Sequence, residues 1–514
     1  MRTRFAEIPF HPLVFAAAYV VNSAVAAGIH PSAGGRALLV AVGGAATITI
    51  AMSLATRNRH VGAAIATSVL AAMVLAQAAR IGFQVASRMA PWQSIIWLAL
   101  IAATLFLCFR LVRRTIAGTS PRGLSRGLNV LSLILAGVVV STAFLSSEAG
   151  PAISELVEGR SPARAGVVAN PEASPDIIVV LLDGYPRADT LERIFDYDNT
   201  PFLDDLRDRG FFVADRARSN YTWTQLTLAS MFHMRHLEDI PEYQAVASRE
   251  VPERRGVREV LNTPPAIEHL SRLGYETYAV PPGIDWVTLR SVDHVMDSGT
   301  VSEFEYHLLR ATGMDVVLSV LAPDFIGGQH RDRILTAFES IEAAAAGGPR
   351  PRFMFGHLLS PHMPAVFHRD GSFRRPSLSD NIFADLRLDT DIASDDWVAM
   401  YTDQLTYLNS RLLQMVDTVA AANPDAVIVL MSDHGSGVDW YWSTAAHSDE
   451  RTATLFAART PGESNVFQPD QTPVNLFPML LNSYFASELP IHPDRVFLGS
   501  LDLVEITNPD DRAE

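Results

Sequence analysis

The sequence predicts an α/β protein in two parts: an N-terminal transmembrane domain of about five helices over residues 1–147, and a C-terminal α/β/α sandwich with a mostly parallel central sheet over residues 175–514. Long apolar segments with almost no acidic residue fill the first part, and segments of that length are typical of membrane-spanning helices. In the second part, short apolar runs alternate with segments of helical periodicity, as in an α/β fold. Residues 148–174, rich in Ser, Ala, Gly and Pro, are predicted to form a linker.

Composition excludes several classes of function. The 514-residue chain has a formal net charge of -15, and the acidic residues lie almost entirely in the second part, so a nucleic-acid partner is not expected. The chain has one cysteine, Cys108, which lies in an apolar segment of the first part. The second part therefore contains neither a disulfide nor a thiolate metal ligand, and its nucleophile cannot derive from cysteine.

The arginine distribution predicts how the apolar segments are oriented. Arginines precede the first segment, lie between the second and the third, and cluster between the fourth and the fifth, whereas the alternate loops hold few. Because positively charged loops stay on the cytoplasmic side, the N-terminus is predicted to be cytoplasmic. After five crossings, the second part lies outside a cell membrane. The five predicted spans are roughly Pro12–Ile29, Ala37–Ala55, Val61–Ala79, Gln93–Val112 and Leu128–Leu145.

Strands and helices alternate through the second part. The helix over 200–210 has Pro201 in its first turn and Gly210 at its end, which are the usual signals for the two termini. The apolar run Ala426–Met431 is continuous, as expected of a strand that is buried on both faces of a parallel sheet. The predicted strands cover 175–185, 211–216, 275–280, 353–359, 426–431 and 453–459. The predicted helices cover 200–210, 226–237, 265–273, 332–346, 397–422 and 472–485.

Acidic residues and histidines follow three of these strands. Asp183 ends the first strand, Asp433 and His434 end another in the sequence SDHG, and His357 and His362 lie at or just after the strand FMFGHLL. In a parallel sheet these strand ends share one edge, where ligands bind. Oxygen ligands with one or two imidazole nitrogens suit zinc or manganese, so a divalent-metal site is predicted. The alternative is that SDHG forms a surface turn.

The segments VVLLDGY, NYTWTQLTLASMF and VLMSDHG, in this order, resemble motifs of the membrane-anchored, sulfatase-like branch of the alkaline phosphatase superfamily. Lipoteichoic acid synthases and lipid A phosphoethanolamine transferases in this branch have membrane spans followed by an extracytoplasmic catalytic domain. The resemblance covers nearly the whole chain. It implies one divalent metal, zinc or manganese, held by Asp183, Asp433, His434 and a threonine nucleophile, and it leaves a second metal open. Those two groups of transferases have glutamate in place of Asp183, a departure that affects the substrate more than the metal.

The segment over 220–232 contains three candidate nucleophiles, Thr222, Thr224 and Thr227. Aligning the Thr-x-x-Ser helix start of the family selects Thr224, which then serves both as nucleophile and as metal ligand. A hydroxyl at a helix N-terminus faces free backbone N–H groups and the positive end of the helix dipole, which favours phosphate binding. The alternative is that Thr224 only caps the helix.

Three further histidines are candidates for the site. The resemblance implies a catalytic role for His362, in contact with the substrate or with a second metal. His357 and His447 are predicted as additional contacts of the substrate or of a second metal. For His357 the alternative is a structural hydrogen bond at the end of a strand.

The resemblance implies a membrane-bound, metal-dependent phosphotransferase. Thr224 would take a phospho-head-group from a phospholipid donor and pass it to an envelope glycan, glycopolymer or lipid. A phosphoester hydrolase of the same fold is one alternative, because both reactions share the first half-reaction. A non-catalytic envelope protein that retains the fold is another. Sulfatase activity is disfavoured, since the segment over 220–232 lacks the Cys/Ser-x-Pro/Ala-x-Arg arrangement that matures to formylglycine.

Overall fold

The structure is a computed structural model that describes residues 8–87, 120–145, 174–241, 243–244, 254–376, 394–437, 448–499 and 503–506. The chain forms two compact units. The first contains Met1–Gly159 and Ser302–Pro323, and the second contains Arg160–Val301 and Asp324–Glu514. The predicted boundary assigns Ser302–Pro323 to the second part, whereas these residues pack with the first unit. The predicted linker over 148–174 lies, except for its last residue, outside the described ranges.

The N-terminal part of the first unit is helical. Its described helices are α1 (His11–Ala26), α2 (Pro31–Thr56), α3 (Arg59–Ser87) and α4 (Pro121–Leu145). Asn129 of α4 ties this helix to the start of α1, because its side chain accepts from the His11 N–H at 3.0 Å and donates to Ile8 O at 2.9 Å.

Two of the described helices contain stretches that are long and apolar enough to cross a membrane, Ala33–Thr56 and Pro121–Thr142. The apolar stretches His11–Ala26 and Arg59–Leu75 are shorter. A helix such as α1 reaches only about 24 Å, less than the roughly 30 Å of a bilayer's apolar core. The fourth predicted span, Gln93–Val112, lies outside the described residues. The prediction of five spans is therefore not confirmed.

The remaining helices and strands alternate along the chain. In chain order the helices are α5 (Ala188–Phe195), α6 (Thr200–Asp208), α7 (Thr224–His233), α8 (Arg254–Leu261), α9 (Pro265–Arg272), α10 (Glu303–Ala311), α11 (Met314–Leu321), α12 (Phe325–Ala346), α13 (Ser394–Ala422), α14 (Ser448–Thr452) and α15 (Leu476–Phe485). The strands are β1 (Ile177–Leu182), β2 (Phe212–Val213), β3 (Glu276–Val280), β4 (His294–Val295), β5 (Arg352–Leu358), β6 (Val427–Met431), β7 (Phe456–Arg459), β8 (Val496–Leu498) and β9 (Val504–Ile506).

Seven strands form one sheet in the order β2-β7-β6-β1-β5-β3-β4. β6, β1, β5, β3 and β4 run parallel, and β7 is antiparallel to both β6 and β2. The prediction of a mixed α/β fold with a mostly parallel central sheet is confirmed. Leu181 of β1 lies opposite His357 of β5 and Met431 of β6. The residues that follow these three strands therefore lie at one edge of the sheet.

Helices cover both faces of the sheet. On one face, Ile178 and Val180 of β1 belong to a core that also contains side chains of α5, α6, α12 and α13. On the other face, Phe355 of β5 packs edge-on against Phe232 of α7, with ring centroids 5.1 Å apart. Every residue of β1 and β6 is buried, and this burial on both faces explains why their sequences are continuously apolar.

A buried ion pair lies at the opposite edge of the sheet. The Asp176 carboxylate accepts from the Arg352 guanidinium at 2.6 and 3.0 Å, from the Arg352 backbone N–H at 2.8 Å and from the Asn423 side chain at 2.8 Å. These bonds join the starts of β1 and β5 to the end of α13.

Candidate metal and nucleophile site

The turn after β1 holds Asp183 at the carboxyl edge of the sheet. Its backbone N–H donates to Leu358 O at 3.0 Å, and its carbonyl accepts from the His362 N–H at 2.9 Å. Gly184 follows with φ +75°, a conformation that glycine adopts without steric cost. The Gly184 N–H donates to Asp433 Oδ1 at 3.2 Å. One hydrogen-bonded turn thus connects the ends of β1, β5 and β6.

Asp183, Asp433 and His434 form a buried cluster, in which one potential ligand atom of each residue lies within 4.8 Å of the others. His434 Nε2 is 3.2 Å from Asp433 Oδ2 and 3.6 Å from Asp183 Oδ1. Within the described part of the chain, neither of these two carboxylate oxygens has a hydrogen-bond partner. Unpaired anionic oxygens are costly to bury, and a cation between the three residues would remove that cost. The cluster fits a divalent metal with oxygen and nitrogen ligands, such as zinc or manganese.

The orientation of His434 supports its assignment as a nitrogen ligand. Its Nδ1 donates to Gly435 O at 2.9 Å, so in the neutral ring the Nε2 lone pair faces the carboxylates. Burial, together with the nearby Arg451 guanidinium, lowers the pKa of His434. The neutral imidazole is the form that binds metal.

His357 lies beside the cluster and contacts the other oxygen of Asp183. Its Nε2 donates to Asp183 Oδ2 at 3.1 Å. Burial opposes ionisation of Asp183, but the hydrogen bond from His357 and the charge interactions with His362 and His434 hold the pKa of this carboxyl below its usual value. Asp183 is therefore an anion oriented by His357, as second-layer partners orient metal ligands. This geometry corresponds to the hydrogen-bonding alternative for His357.

Among the three candidate threonines, the structure brings Thr224 to the cluster. Its Oγ1 lies 3.2 Å from His434 Nε2, and the residue is 9% exposed. Thr227 is fully buried, and its hydroxyl donates to Asp433 O at 3.1 Å. The Thr222 hydroxyl donates to the backbone carbonyl of Gly499 at 3.3 Å. The hydroxyls of Thr222 and Thr227 therefore support the backbone around the site.

Thr224 is the first residue of α7. The first N–H groups that bond within the helix are those of Leu226 and Thr227, which both donate to Trp223 O. The N–H groups of Thr224 and Gln225 precede these bonds and belong to the free N-terminal donors of the helix. No side-chain cap bond forms at this end among the described residues, and the Thr224 hydroxyl faces His434 instead. An anionic group at this point would meet the free N–H groups and the positive end of the dipole.

His362 lies next to the turn that carries Asp183. Its Nδ1 donates to Met363 O at 2.6 Å, and its carbonyl accepts from the Gln404 amide at 3.4 Å. The side chain is half-buried. The predicted site residue His447 lies outside the described residues.

The close approach of α14 explains the glycine of SDHG. A Cβ on Gly435 would lie only 2.0 Å from Glu450 O, and the Gly435 N–H donates to Arg451 O at 2.7 Å. The turn is buried, so the alternative of a surface turn is wrong.

Sequence reasoning missed Arg451, which is buried next to the cluster. Its Nε donates to Thr222 O at 3.0 Å, and its Nη1 donates to Gly435 O at 3.2 Å. The side chain therefore links the segment before α7 to the turn after His434. The local sequence SDERT has the composition of an exposed helix, so no local signal indicates that this arginine is buried.

Residues 175–482 match the family model described as Sulfatase. Among curated proteins, none matches the chain. The C-terminal periplasmic domain of EptC from Escherichia coli is 12% identical, with a TM-score of 0.41, and the match covers 67% of this chain and 96% of that domain. The soluble domain of lipooligosaccharide phosphoethanolamine transferase A from Neisseria meningitidis is 15% identical, with a TM-score of 0.40, and the match covers 62% of this chain and 90% of that domain. The integral membrane form of that transferase is 14% identical, with a TM-score of 0.40, and the match covers 76% of this chain and 75% of that protein.

Proposed function

The chain belongs to the sulfatase family, and from that premise we propose that it is a metal-dependent, membrane-bound phosphotransferase with Thr224 as its nucleophile. The observation that carries the proposal is the position of the Thr224 hydroxyl. It lies 3.2 Å from His434 Nε2 at a helix N-terminus, beside two buried carboxylate oxygens that have no hydrogen-bond partner among the described residues. Family membership alone does not assign the reaction, because one fold supports different reactions.

Asp183, Asp433, His434 and Thr224 are the proposed ligands of one divalent metal, zinc or manganese. When bound, the ion would lower the pKa of the Thr224 hydroxyl and offset negative charge on a phosphoryl group. His357 would keep Asp183 in place through the hydrogen bond to Oδ2, leaving Oδ1 for the ion. Arg451 would donate to the Thr222 and Gly435 carbonyls and so hold the loops that carry Thr224 and His434 at a fixed distance from each other.

In the first half-reaction, the Thr224 oxygen attacks the phosphorus of a phosphodiester in a phospholipid. The bond from phosphorus to the glycerol oxygen breaks, Thr224 loses its proton to solvent, and diacylglycerol leaves after taking up a proton. The N–H groups at the start of α7 bind the phosphoryl oxygens. His362 lies beside the Asp183 turn, and its Nδ1 already donates to Met363 O. As the imidazolium it donates from Nε2 to an oxygen of the transferred group or of the leaving lipid.

In the second half-reaction, a hydroxyl of an envelope glycan, glycopolymer or lipid attacks the phosphorus and releases Thr224. Water in the same position would make the protein a phosphoester hydrolase, so the acceptor distinguishes the two reactions. A catalytic unit on the extracytoplasmic side of a multi-pass membrane anchor would meet both the lipid donor and the envelope acceptor.

The test uses the full chain in nanodiscs that contain phosphatidylethanolamine and phosphatidylglycerol, loaded with zinc or manganese. Intact-protein and peptide mass spectrometry would look for a head-group phosphate on residue 224, and elemental analysis would give the metal content. Thr224→Ala removes the nucleophile, and the matched variant Thr224→Ser keeps a hydroxyl at the same place. We expect the adduct in the wild type, less of it in Thr224→Ser, and none in Thr224→Ala.

The outcomes separate the alternatives. An adduct on Thr222 or Thr227 would overturn the choice of nucleophile. Bound metal and phosphoester turnover in water, without an acceptor and without a lasting adduct, would favour the hydrolase. A protein that takes up no metal and turns over no phosphoester would support the non-catalytic alternative.

A further inference from the structure

A segment between β4 and α12 leaves the second unit and packs with the N-terminal helices. Ser302–Pro323 forms α10 and α11, which are joined at Gly313, where φ is +71°. Ser302 and Glu305 form a capping box at the start of α10, in which each side chain bonds the backbone N–H of the other residue. Such a box specifies the start of a helix, so the segment has its own folding signals.

α10 is anchored where α1 ends and α2 begins. Phe304 is buried in an apolar cluster with Val20 of α1 and Ala37 of α2. Arg36 of α2 donates from Nε to Glu305 Oε1 at 2.6 Å, and α10 also packs against α3. The arginine distribution predicts that this end of the helix group is extracytoplasmic.

α11 extends from this anchor and has no buried residue. It exposes four large apolar side chains, Val316, Val317, Val320 and Leu321, and the last two are 76% and 78% exposed. Positions i, i+1, i+4 and i+5 lie on one face of a helix. The single charged residue of α11 is Asp315, in the first turn. The helix therefore presents an apolar face without charge.

An exposed apolar face of this kind indicates a site of interaction with another protein or with a membrane. The neighbouring residues of the first unit indicate which of the two covers α11. Leu39 and Val40 of α2 lie within one turn of Ala37, which contacts α10, and they are 76% and 69% exposed. They belong to Ala33–Thr56, a helix long and apolar enough to cross a membrane. The helix that anchors α10 is thus one whose exposed side chains are suited to lipid.

We propose that α11 is an interfacial helix, whose face of Val316, Val317, Val320 and Leu321 inserts among the lipids of the extracytoplasmic leaflet. An amphipathic helix in the plane of the interface buries its apolar face at the boundary of headgroups and acyl chains. α10 holds the helix at that depth through Phe304 and the ion pair with Arg36. The proposal does not depend on the reaction of the second unit.

The test places an environment-sensitive fluorophore at single positions of the full chain. Cys108→Ser removes the natural cysteine, and Val320→Cys carries an NBD label on the apolar face. Ser319→Cys is the matched control on the other face of the same helix, and Val504→Cys, an exposed position of the second unit, is the aqueous control. The proteins are reconstituted in phosphatidylcholine–phosphatidylglycerol vesicles and titrated with doxyl-labelled lipid and with iodide.

We expect the label at 320 to emit at shorter wavelength than the label at 504, to be quenched several-fold more by doxyl lipid, and to be protected from iodide. The label at 319 should be less sensitive to doxyl lipid than the label at 320. Equal iodide quenching at 320 and 504 would overturn the proposal, because the face would then be in water. A label at 320 that neither quencher reaches would also overturn it, since protein would then cover the face. Equal lipid quenching at 319 and 320 would contradict the assignment of one inserted face.

Discussion

Replacing Asp433 by Asn should change the metal-free and the metal-bound protein in opposite directions. Asn has the shape of Asp, and its carbonyl oxygen can still accept from the Gly184 N–H, which is 3.2 Å from Oδ1. The other oxygen becomes an amide NH2 that faces the His434 Nε2 lone pair, 3.2 Å away. The variant therefore loses one anionic ligand and one buried charge, and it gains a hydrogen bond.

The magnitude follows from the separation of the two carboxylates. The potential ligand atoms of Asp183 and Asp433 lie within 4.8 Å of each other, where two unit charges repel by about 3 kcal/mol at an effective dielectric constant of about 20. His357 offsets part of the charge of Asp183, and the new hydrogen bond adds about 1 kcal/mol. We expect Asp433→Asn to raise the free energy of unfolding of the metal-free protein by about 1–3 kcal/mol, a few degrees in Tm.

Metal should reverse this order of stability. A ligand at about 1,000 times its Kd stabilises the wild type by about 4.1 kcal/mol, and the variant should show little of this gain. The assay is thermal unfolding of the full chain in detergent micelles, in EDTA and in excess zinc or manganese. Asp204→Asn, at an exposed position of α6, controls for the loss of one negative charge. The reasoning is refuted if metal-free Asp433→Asn unfolds below the wild type, or if metal stabilises both proteins equally.

Three other substitutions test the surroundings of the site. Arg451→Met should lower the proposed phosphotransfer about 10–100-fold, comparable to losing a supporting group of a metal site, because the buried Thr222 carbonyl loses the bond from Arg451 and the Gly435 carbonyl keeps only the bond from His434. Steady-state rates and metal content compared with Arg451→Lys measure this. Asp176→Ala should lower the free energy of unfolding by about 3–5 kcal/mol, since the buried Arg352 guanidinium loses its carboxylate partner. The metal affinity should stay unchanged. Denaturant titration measures the first effect, and metal-binding titration checks the second. Burial and the Arg333 guanidinium hold the pKa of His330 well below 6.5. This residue therefore contributes stability that is present above pH 6.5 and is lost as the pH falls below it. The loss of Tm between pH 8 and pH 5 should be smaller in His330→Gln than in the wild type.

The sheet was predictable because its strands have a strong local signal. The runs IIVVLL and VIVLM are continuously apolar, and such runs belong to strands buried on both faces. The short helices α5, α8, α10 and α11 were not predicted, because eight or nine residues carry little periodicity. The equally short α6 and α9 were predicted because a proline lies in the first turn of each and a glycine follows its end. The packing of α10 and α11 with the first unit was not predicted for a second reason. The capping box at Ser302 indicates the start of a helix, but it does not indicate the unit against which that helix packs.

The sequence by itself determined the class of the fold and the residue types at the site. Apolar runs that end in Asp183 and in Asp433-His434 follow from the local order of side chains, and a parallel sheet brings such ends to one edge. Only the tertiary structure decided which hydroxyl meets them. Thr222, Thr224 and Thr227 have similar local surroundings in the chain, and the approach of Thr224 to His434 depends on contacts between residues more than 200 positions apart, such as the bond from Thr227 to the Asp433 carbonyl. The buried Arg451 and the position of His357 behind Asp183 also depend on packing across the sheet, which no local pattern specifies.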